Sequence, residues 1–157
     1  MKRIIYLLLC LLLPLTAMAD DELRYDLESA GVSASGMTLV KVSVYVSKAK
    51  KASDEMLKKA AVHGIIFRGV AESSVTGFSK QKALVGAGAA QQYGDYFEAF
   101  FADGGGYISY ATLVESSTET VKVGKEYRVS AVLNVNTDGL KSTLKAAGII
   151  KGMTDGF

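Results

Sequence analysis

The chain has 157 residues, with 18 basic and 16 acidic side chains, one cysteine, one proline and one histidine. A formal net charge of +2 is far from the clustered basic excess that nucleic-acid-binding proteins carry, so this class of partner is excluded. A single cysteine and a single histidine exclude an intrachain disulfide, a Cys-based zinc or iron–sulfur site and a His-rich metal site.

The N-terminal segment has the three parts of a secretory signal peptide. Residues 2–3 are basic, residues 4–13 form an apolar run, and residues 17–19, Ala-Met-Ala, match a small-x-small cleavage site. We therefore predict a signal peptide over 1–19, cleaved near Ala19, and a single α+β domain over 20–157. The predicted location is the periplasm or the medium.

Two other interpretations of this segment, a retained membrane anchor and a lipoprotein leader, fit less well. A spanning helix needs about 20 apolar residues, whereas Pro14 and Thr16 interrupt this run. Cys10 follows Leu9 inside the apolar run, not the small residue that precedes a lipidation cysteine. Cleavage is thus expected to leave a neutral domain without cysteine, proline or a transmembrane anchor.

Alternation of apolar and polar residues predicts the first strands. Residues 23–27 alternate weakly, and residues 40–46 alternate strongly, with four valines on one face. Ser53 is then predicted to cap a helix that ends at Gly64, and residues 65–67 to form a short strand.

A long connection is predicted over residues 70–88, which are rich in Ser, Gly, Thr, Lys and Gln and lack periodicity. Connections of this length are often functional. Near its end, Gly86-Ala87-Gly88 resembles part of a dinucleotide-binding fingerprint, but Gln91 replaces the third glycine and no strand–helix–strand unit frames it. A flexible approach to a helix is the better interpretation, and no cofactor is predicted.

Five aromatic rings recur at helical spacing over residues 93–101, and we expect Phe97 and Phe101 to be buried and Tyr93 and Tyr96 to be partly exposed. Two alternating runs, 107–115 and 125–135, predict an antiparallel pair joined by a polar turn region over 116–124. A last helix is predicted from a cap at 136–137 to Gly148.

This order of elements predicts an α+β fold, with a single, mainly antiparallel sheet and about three helices packed against it. No internal repeat or domain-splitting linker interrupts residues 20–157.

The sequence contains no recognisable catalytic or metal-binding signature. The HExxH, calcium-loop and GxSxG patterns are absent. His63 is predicted to lie at the end of the first helix and to meet its last carbonyls, so that His63→Ala would lower stability and leave any activity intact. No catalytic, cofactor or metal residue is therefore predicted, and an enzyme is the less favoured interpretation.

Three blocks of the sequence carry a resemblance to known proteins: residues 40–42 with 60–69, residues 100–107, and residues 124–127 with 147–152. Together they resemble a group of small uncharacterised exported proteins of Gram-negative bacteria, and the element order is loosely similar to α+β domains of envelope-assembly lipoproteins. The resemblance implies export and an α+β fold. It implies no activity and no site residues.

The favoured functional hypothesis is an exported, non-enzymatic envelope or secreted protein that binds an unknown envelope protein or ligand through the 70–88 loop. The predicted contact residues are Arg68, Lys80, Lys82, Tyr93 and Tyr96. Two alternatives stay open: a hydrolase that acts on an envelope polymer, and a structural subunit that self-associates through strand edges.

Overall fold

The computed structural model describes residues 23–31, 33–73 and 80–151, and the predicted signal peptide lies outside these ranges. The strands of the described part are β1 Tyr25–Gly31, β2 Met37–Val46, β3 Ala111–Leu113, β4 Glu119–Val123 and β5 Glu126–Asn136. Its α-helices are α1 Asp54–Phe67, α2 Ala89–Gln92, α3 Gly94–Phe100 and α4 Thr137–Ala146, and two short 3-10 helices span Ala49–Lys51 and Gly106–Tyr110.

The strands form one antiparallel sheet in the order β1-β2-β5, and β3 and β4 both pair with the far side of β5. The longest ladder joins β2 to β5 and places Val42 opposite Ala131. The alternate residues Val40, Val42 and Val44 of β2 are fully buried, as the alternation predicts. The predicted α+β class, with one mainly antiparallel sheet and about three substantial helices, is confirmed.

Helix α1 packs on the buried face of the sheet and begins where the sequence predicts. The Ser53 hydroxyl accepts a hydrogen bond from the Met56 N–H at 3.1 Å, which caps the helix. The predicted end at Gly64 and the predicted strand over 65–67 are both wrong, because α1 continues to Phe67. Gly64 is instead a contact with β1: a Cβ atom there would lie 2.7 Å from Leu27 Cδ2. Because glycine has no side chain, the helix can lie close to the sheet at this point.

The edge beside β5 also differs from the prediction. Only Ala111–Leu113 of the predicted strand 107–115 is extended, since residues 106–110 form a 3-10 helix. The predicted turn region 116–124 contains β4. Between β3 and β4, the Ser117 hydroxyl accepts a hydrogen bond from the Val132 N–H at 3.1 Å and so bridges the gap in the ladder.

The aromatic segment is buried as predicted but is not one helix. The backbone of Tyr93 departs from helical geometry, with φ −118° and ψ 35°, and separates α2 from α3. Phe97 and Phe101 are buried, and Tyr93 and Tyr96 are half-buried, as the spacing predicts. Phe97 packs against Phe67, with ring centroids 4.7 Å apart, which holds α3 against the end of α1.

The last helix, α4, is capped by Asn136, whose side-chain oxygen accepts a hydrogen bond from the Gly139 N–H at 2.8 Å. Its Leu140 and Leu144 are almost completely buried in the core. Among the helices of the described ranges, none combines the length and the apolar character needed to cross a membrane.

Candidate functional site

The candidate site is built where α1 ends beside β1. Arg68 directly follows α1, and its guanidinium lies over the Tyr25 ring, 4.3 Å from the ring centroid. Arg68 Nη1 also donates a hydrogen bond to the Tyr25 carbonyl oxygen at 3.1 Å. Tyr25 itself is only 5% exposed. The buried tyrosine therefore holds an exposed arginine in one orientation at the surface.

The chain reverses at Gly69, which has φ +77°, and the start of the 70–88 connection then lies beside residue 81. Val70 and Gln81 exchange two backbone hydrogen bonds of 2.9 Å. A Cβ atom on Gly69 would lie 2.2 Å from the Gln81 carbonyl oxygen and 2.9 Å from the carbonyl carbon of Lys82. This close contact brings the backbone of Lys80 and Lys82 beside that of Arg68.

The backbone of three of the five predicted contact residues thus lies close together, and we call Arg68, Lys80 and Lys82 the basic edge. All three side chains are exposed. Within residues 23–31, 33–73 and 80–151, no carboxylate forms an ion pair with any of them. The basic edge consequently presents positive charge that the described part of the chain leaves available for a ligand.

The connection is also anchored beyond the basic edge. The Leu84 N–H donates to the Ile65 carbonyl at 3.2 Å, and the Val85 N–H donates to the Ile66 carbonyl at 3.1 Å. Val85 is buried. The prediction of an irregular connection concerns residues 74–79 as well, and these lie outside the described ranges.

Arg68 also lines a shallow surface groove of about 460 Å³, which we call the outer groove. The other lining residues are Arg24, Tyr25, Asp26, Tyr45, Val123 and Glu126. Arg24 forms an ion pair with Glu126 at 2.5 Å. The Tyr45 hydroxyl donates to Asp26 at 2.7 Å, and this hydrogen bond raises the pKa of Tyr45. Both acidic side chains of the groove are therefore already bound by neighbours.

The other two predicted contact residues lie in a different group. The Tyr93 hydroxyl donates to the Gly148 carbonyl at 3.3 Å. The Tyr96 ring stacks on Phe100 at 5.9 Å, and burial raises the pKa of Tyr96. No described contact links either tyrosine to the basic edge. The structure brings the backbone of Lys80 and Lys82 close to that of Arg68, and the contacts of the two tyrosines lie elsewhere.

Beneath the site lies His63, which the structure places within α1 and not at its end, so its predicted position was wrong. Its Nδ1 atom is 2.7 Å from the Tyr25 hydroxyl, and its ring packs against Phe67 and Phe101 at 4.8 and 5.4 Å. Burial lowers the pKa of His63, and the positive charges of Arg68 and Lys59 lower it further. Burial also raises the pKa of Tyr25 to about 12. The two neutral groups therefore share a hydrogen bond, in which the hydroxyl donates when the imidazole carries its proton on Nε2 and accepts when the proton is on Nδ1.

This arrangement predicts an acid-sensitive contribution to stability. Since the pKa of His63 is lower in the folded than in the unfolded chain, unfolding takes up a proton. The contribution should be fully present above about pH 6.5, the ordinary histidine value, and be lost as pH falls toward the lower folded value. His63→Gln, which can still hydrogen-bond to Tyr25, should show a shallower decline in urea-unfolding free energy between about pH 7 and pH 5. Parallel declines in both proteins would contradict this assignment.

The residues that the sequence analysis missed are Arg24, Tyr25, Tyr45 and Glu126. Tyr45 lies on the more exposed face of the predicted strand 40–46, but which residues neighbour it depends on strand register.

Within the described ranges, no group of three or more His, Cys, Asp or Glu side chains is arranged to hold a metal ion.

Comparison with known proteins gave no match for this chain among family models, curated sequences or solved structures.

Proposed function

We propose that this protein is an exported, non-enzymatic binding protein of the envelope or the medium, which takes an acidic segment of a partner protein on its basic edge. The observation that carries the proposal is the fixed guanidinium of Arg68. It lies over Tyr25 and uses Nη1 for the Tyr25 carbonyl, while no carboxylate of the described residues pairs with it. A planar guanidinium with donors to spare is well suited to a carboxylate.

The position of the basic edge supports recognition at the base of the 70–88 loop. Lys80 and Lys82 flank Gln81, whose hydrogen bonds with Val70 hold it beside the start of the loop. The backbone that carries the two lysines therefore needs little ordering on binding. A site that is already ordered loses less conformational entropy when it binds.

The contacts in the outer groove favour binding over hydrolysis. Both carboxylates of the groove already have a partner. Asp26 accepts a hydrogen bond from the Tyr45 hydroxyl, and Glu126 forms an ion pair with Arg24. A hydrolase acting through a carboxylate pair would need one of these groups to exchange protons or attack the substrate. Export itself is supported by the signal-peptide pattern and by the resemblance to small exported proteins of Gram-negative bacteria.

A charged-peptide titration tests the proposed site. A fluorescently labelled hexaglutamate should bind the protein at low salt, and a hexaglutamine of the same length should not. The double variant R68Q/K82Q should lose at least about tenfold in affinity, because each charge-assisted contact contributes about 1 kcal/mol or more. The wild-type affinity should also fall as salt concentration rises.

The matched control is K141Q/K145Q, which also removes two positive charges, both from exposed lysines of α4. This variant should bind hexaglutamate almost as the wild type does. An equal loss of affinity in K141Q/K145Q and in R68Q/K82Q would mean that only the net charge of the protein matters. That result, or no binding by the wild type, would refute the basic edge as the recognition site.

A further inference from the structure

His63 and Arg68 contact two parts of the same buried tyrosine. The hydroxyl of Tyr25 lies 2.7 Å from His63 Nδ1, and the guanidinium carbon of Arg68 lies 4.3 Å from the centroid of the Tyr25 ring. Tyr25 is almost completely buried, so the space between the two side chains is filled by protein. A charge on one of them is therefore screened less from the other than it would be in bulk water.

The groups that face His63 come from three elements. Besides the tyrosine hydroxyl of β1, they are the ring of Phe67 on α1 and the ring of Phe101, which follows α3. Burial lowers the pKa of His63 most, and the positive charges of Arg68 and Lys59 lower it further. Of these groups, Arg68 is the one that belongs to the basic edge.

We infer that an acidic segment bound to the basic edge and a proton on His63 stabilise each other, so that this protein binds its acidic partner more tightly as pH falls. The inference rests on the proposed function and adds its regulation. A carboxylate paired with Arg68 cancels much of the positive charge that opposes protonation of the imidazole. A protonated His63 in turn adds a positive charge beside the site, and the two effects are equal in free energy because linkage is reciprocal.

Acid therefore acts on binding and on folding in opposite directions. Unfolding takes up a proton because the pKa of His63 is lower in the folded chain, so acid favours unfolding. Binding also takes up a proton, because the bound carboxylate raises the pKa of His63, so acid favours the complex. The gain in affinity appears below about pH 6.5, and a rise of about 0.5 in this pKa corresponds to about a threefold gain.

The pKa of His63 can be measured directly, because the chain contains a single histidine. Proton NMR of the imidazole ring in the untagged protein follows its titration, first in the free protein and then at saturation with hexaglutamate. The peptide should raise the pKa of His63 by about 0.5, and an equal concentration of hexaglutamine should leave it unchanged.

The affinity for hexaglutamate gives a second measurement of the same linkage. Between about pH 7.5 and about pH 5, the wild type should gain up to about threefold in affinity relative to H63Q. Protonation of the peptide itself affects both proteins equally, so it cancels in the ratio of their affinities. Circular dichroism at each pH confirms that both proteins are folded.

Two charge-removing variants separate the contribution of the basic edge from that of a second nearby cation. R68Q should raise the pKa of His63 in the free protein and abolish the further rise on addition of hexaglutamate. K59Q removes the other positive charge that acts on His63 and should also raise the pKa in the free protein. Since Lys59 is not part of the basic edge, K59Q should keep the rise caused by the peptide. Circular dichroism with urea unfolding confirms that each variant folds.

The possible results distinguish this inference from the proposed function. A rise on peptide binding in the wild type and K59Q, absent in R68Q, would support the linkage. Saturation with hexaglutamate without a change in the pKa of His63 would overturn the linkage and leave the binding function in place. The linkage would also be overturned by an unchanged pKa in free R68Q, or by the same peptide-induced rise in R68Q as in the wild type. A wild type that does not bind hexaglutamate would overturn both.

Discussion

Replacing Gly69 with alanine is expected to lower the free energy of unfolding by about 3 kcal/mol or more and to reduce hexaglutamate binding sharply. Gly69 has φ +77°, which costs an alanine about 1–2 kcal/mol. The new Cβ would also lie 2.2 Å from the Gln81 carbonyl oxygen and 2.8 Å from the Ala83 nitrogen, which are backbone atoms. Since a backbone cannot rotate away as a side chain can, the base of the loop must move and carry Lys80 and Lys82 with it.

Gly88→Ala is the matched control, because Gly88 has a similar φ of +88° and an added Cβ would meet no atom within 4 Å. Its free energy of unfolding should therefore fall only by the cost of the positive φ, about 1 kcal/mol, and its affinity for hexaglutamate should not change. Urea denaturation followed by circular dichroism measures the first effect, and the peptide titration measures the second. If both variants lost the same stability, the close contact between Gly69 and Gln81 would not exist in solution.

The second large effect is expected from Gly64→Leu, which should destabilise the fold by about 3 kcal/mol. Gly64 is buried between α1 and β1, and even a Cβ atom there would lie 2.7 Å from Leu27 Cδ2 and 3.1 Å from Tyr25 Cε2. A leucine side chain must push α1 away from β1. Because Tyr25 orients both His63 and Arg68, the displacement should also weaken peptide binding.

The control for this substitution is Gly94→Leu, at the first residue of α3. An added Cβ there has no atom within 4 Å, and leucine favours a helix over glycine by up to about 1 kcal/mol. Gly94→Leu should thus leave stability unchanged or slightly raised, as measured by thermal and urea unfolding. A Gly64→Leu protein as stable as this control would show that α1 and β1 are not in close contact.

The local sequence pattern predicted the structure correctly where a single capping residue or a regular alternation of apolar residues decides it. The four alternating valines of β2 fix its buried face, and the cap at Ser53 fixes the start of α1. The local pattern gave the wrong prediction at Gly64, because a glycine can either end a helix or permit close packing. It was also wrong over residues 65–67, because a short apolar run fits a strand and a buried helix equally well. The packing of α1 on Leu27 and Tyr25 decides between these alternatives.

The candidate site likewise combines features that are evident in the sequence with features that depend on long-range contacts. The basic character of Arg68, Lys80 and Lys82 is evident in the sequence, and so is their place around a long connection. Their meeting depends on the Val70–Gln81 bridge, which joins residues 11 positions apart in the chain. The outer groove depends on still more distant pairs, such as Arg24 with Glu126, 102 positions apart.

The sequence by itself determined the class of the fold and the buried face of its central strand, because alternation and the order of charged and apolar residues are properties of the chain alone. Only the tertiary structure decided which residues surround Arg68. Strand register and the contact of α1 with β1 place Tyr25 beneath Arg68, and the Val70–Gln81 bridge brings Lys80 and Lys82 to the same part of the chain. Such long-range contacts follow from how whole faces pack, which no local pattern encodes.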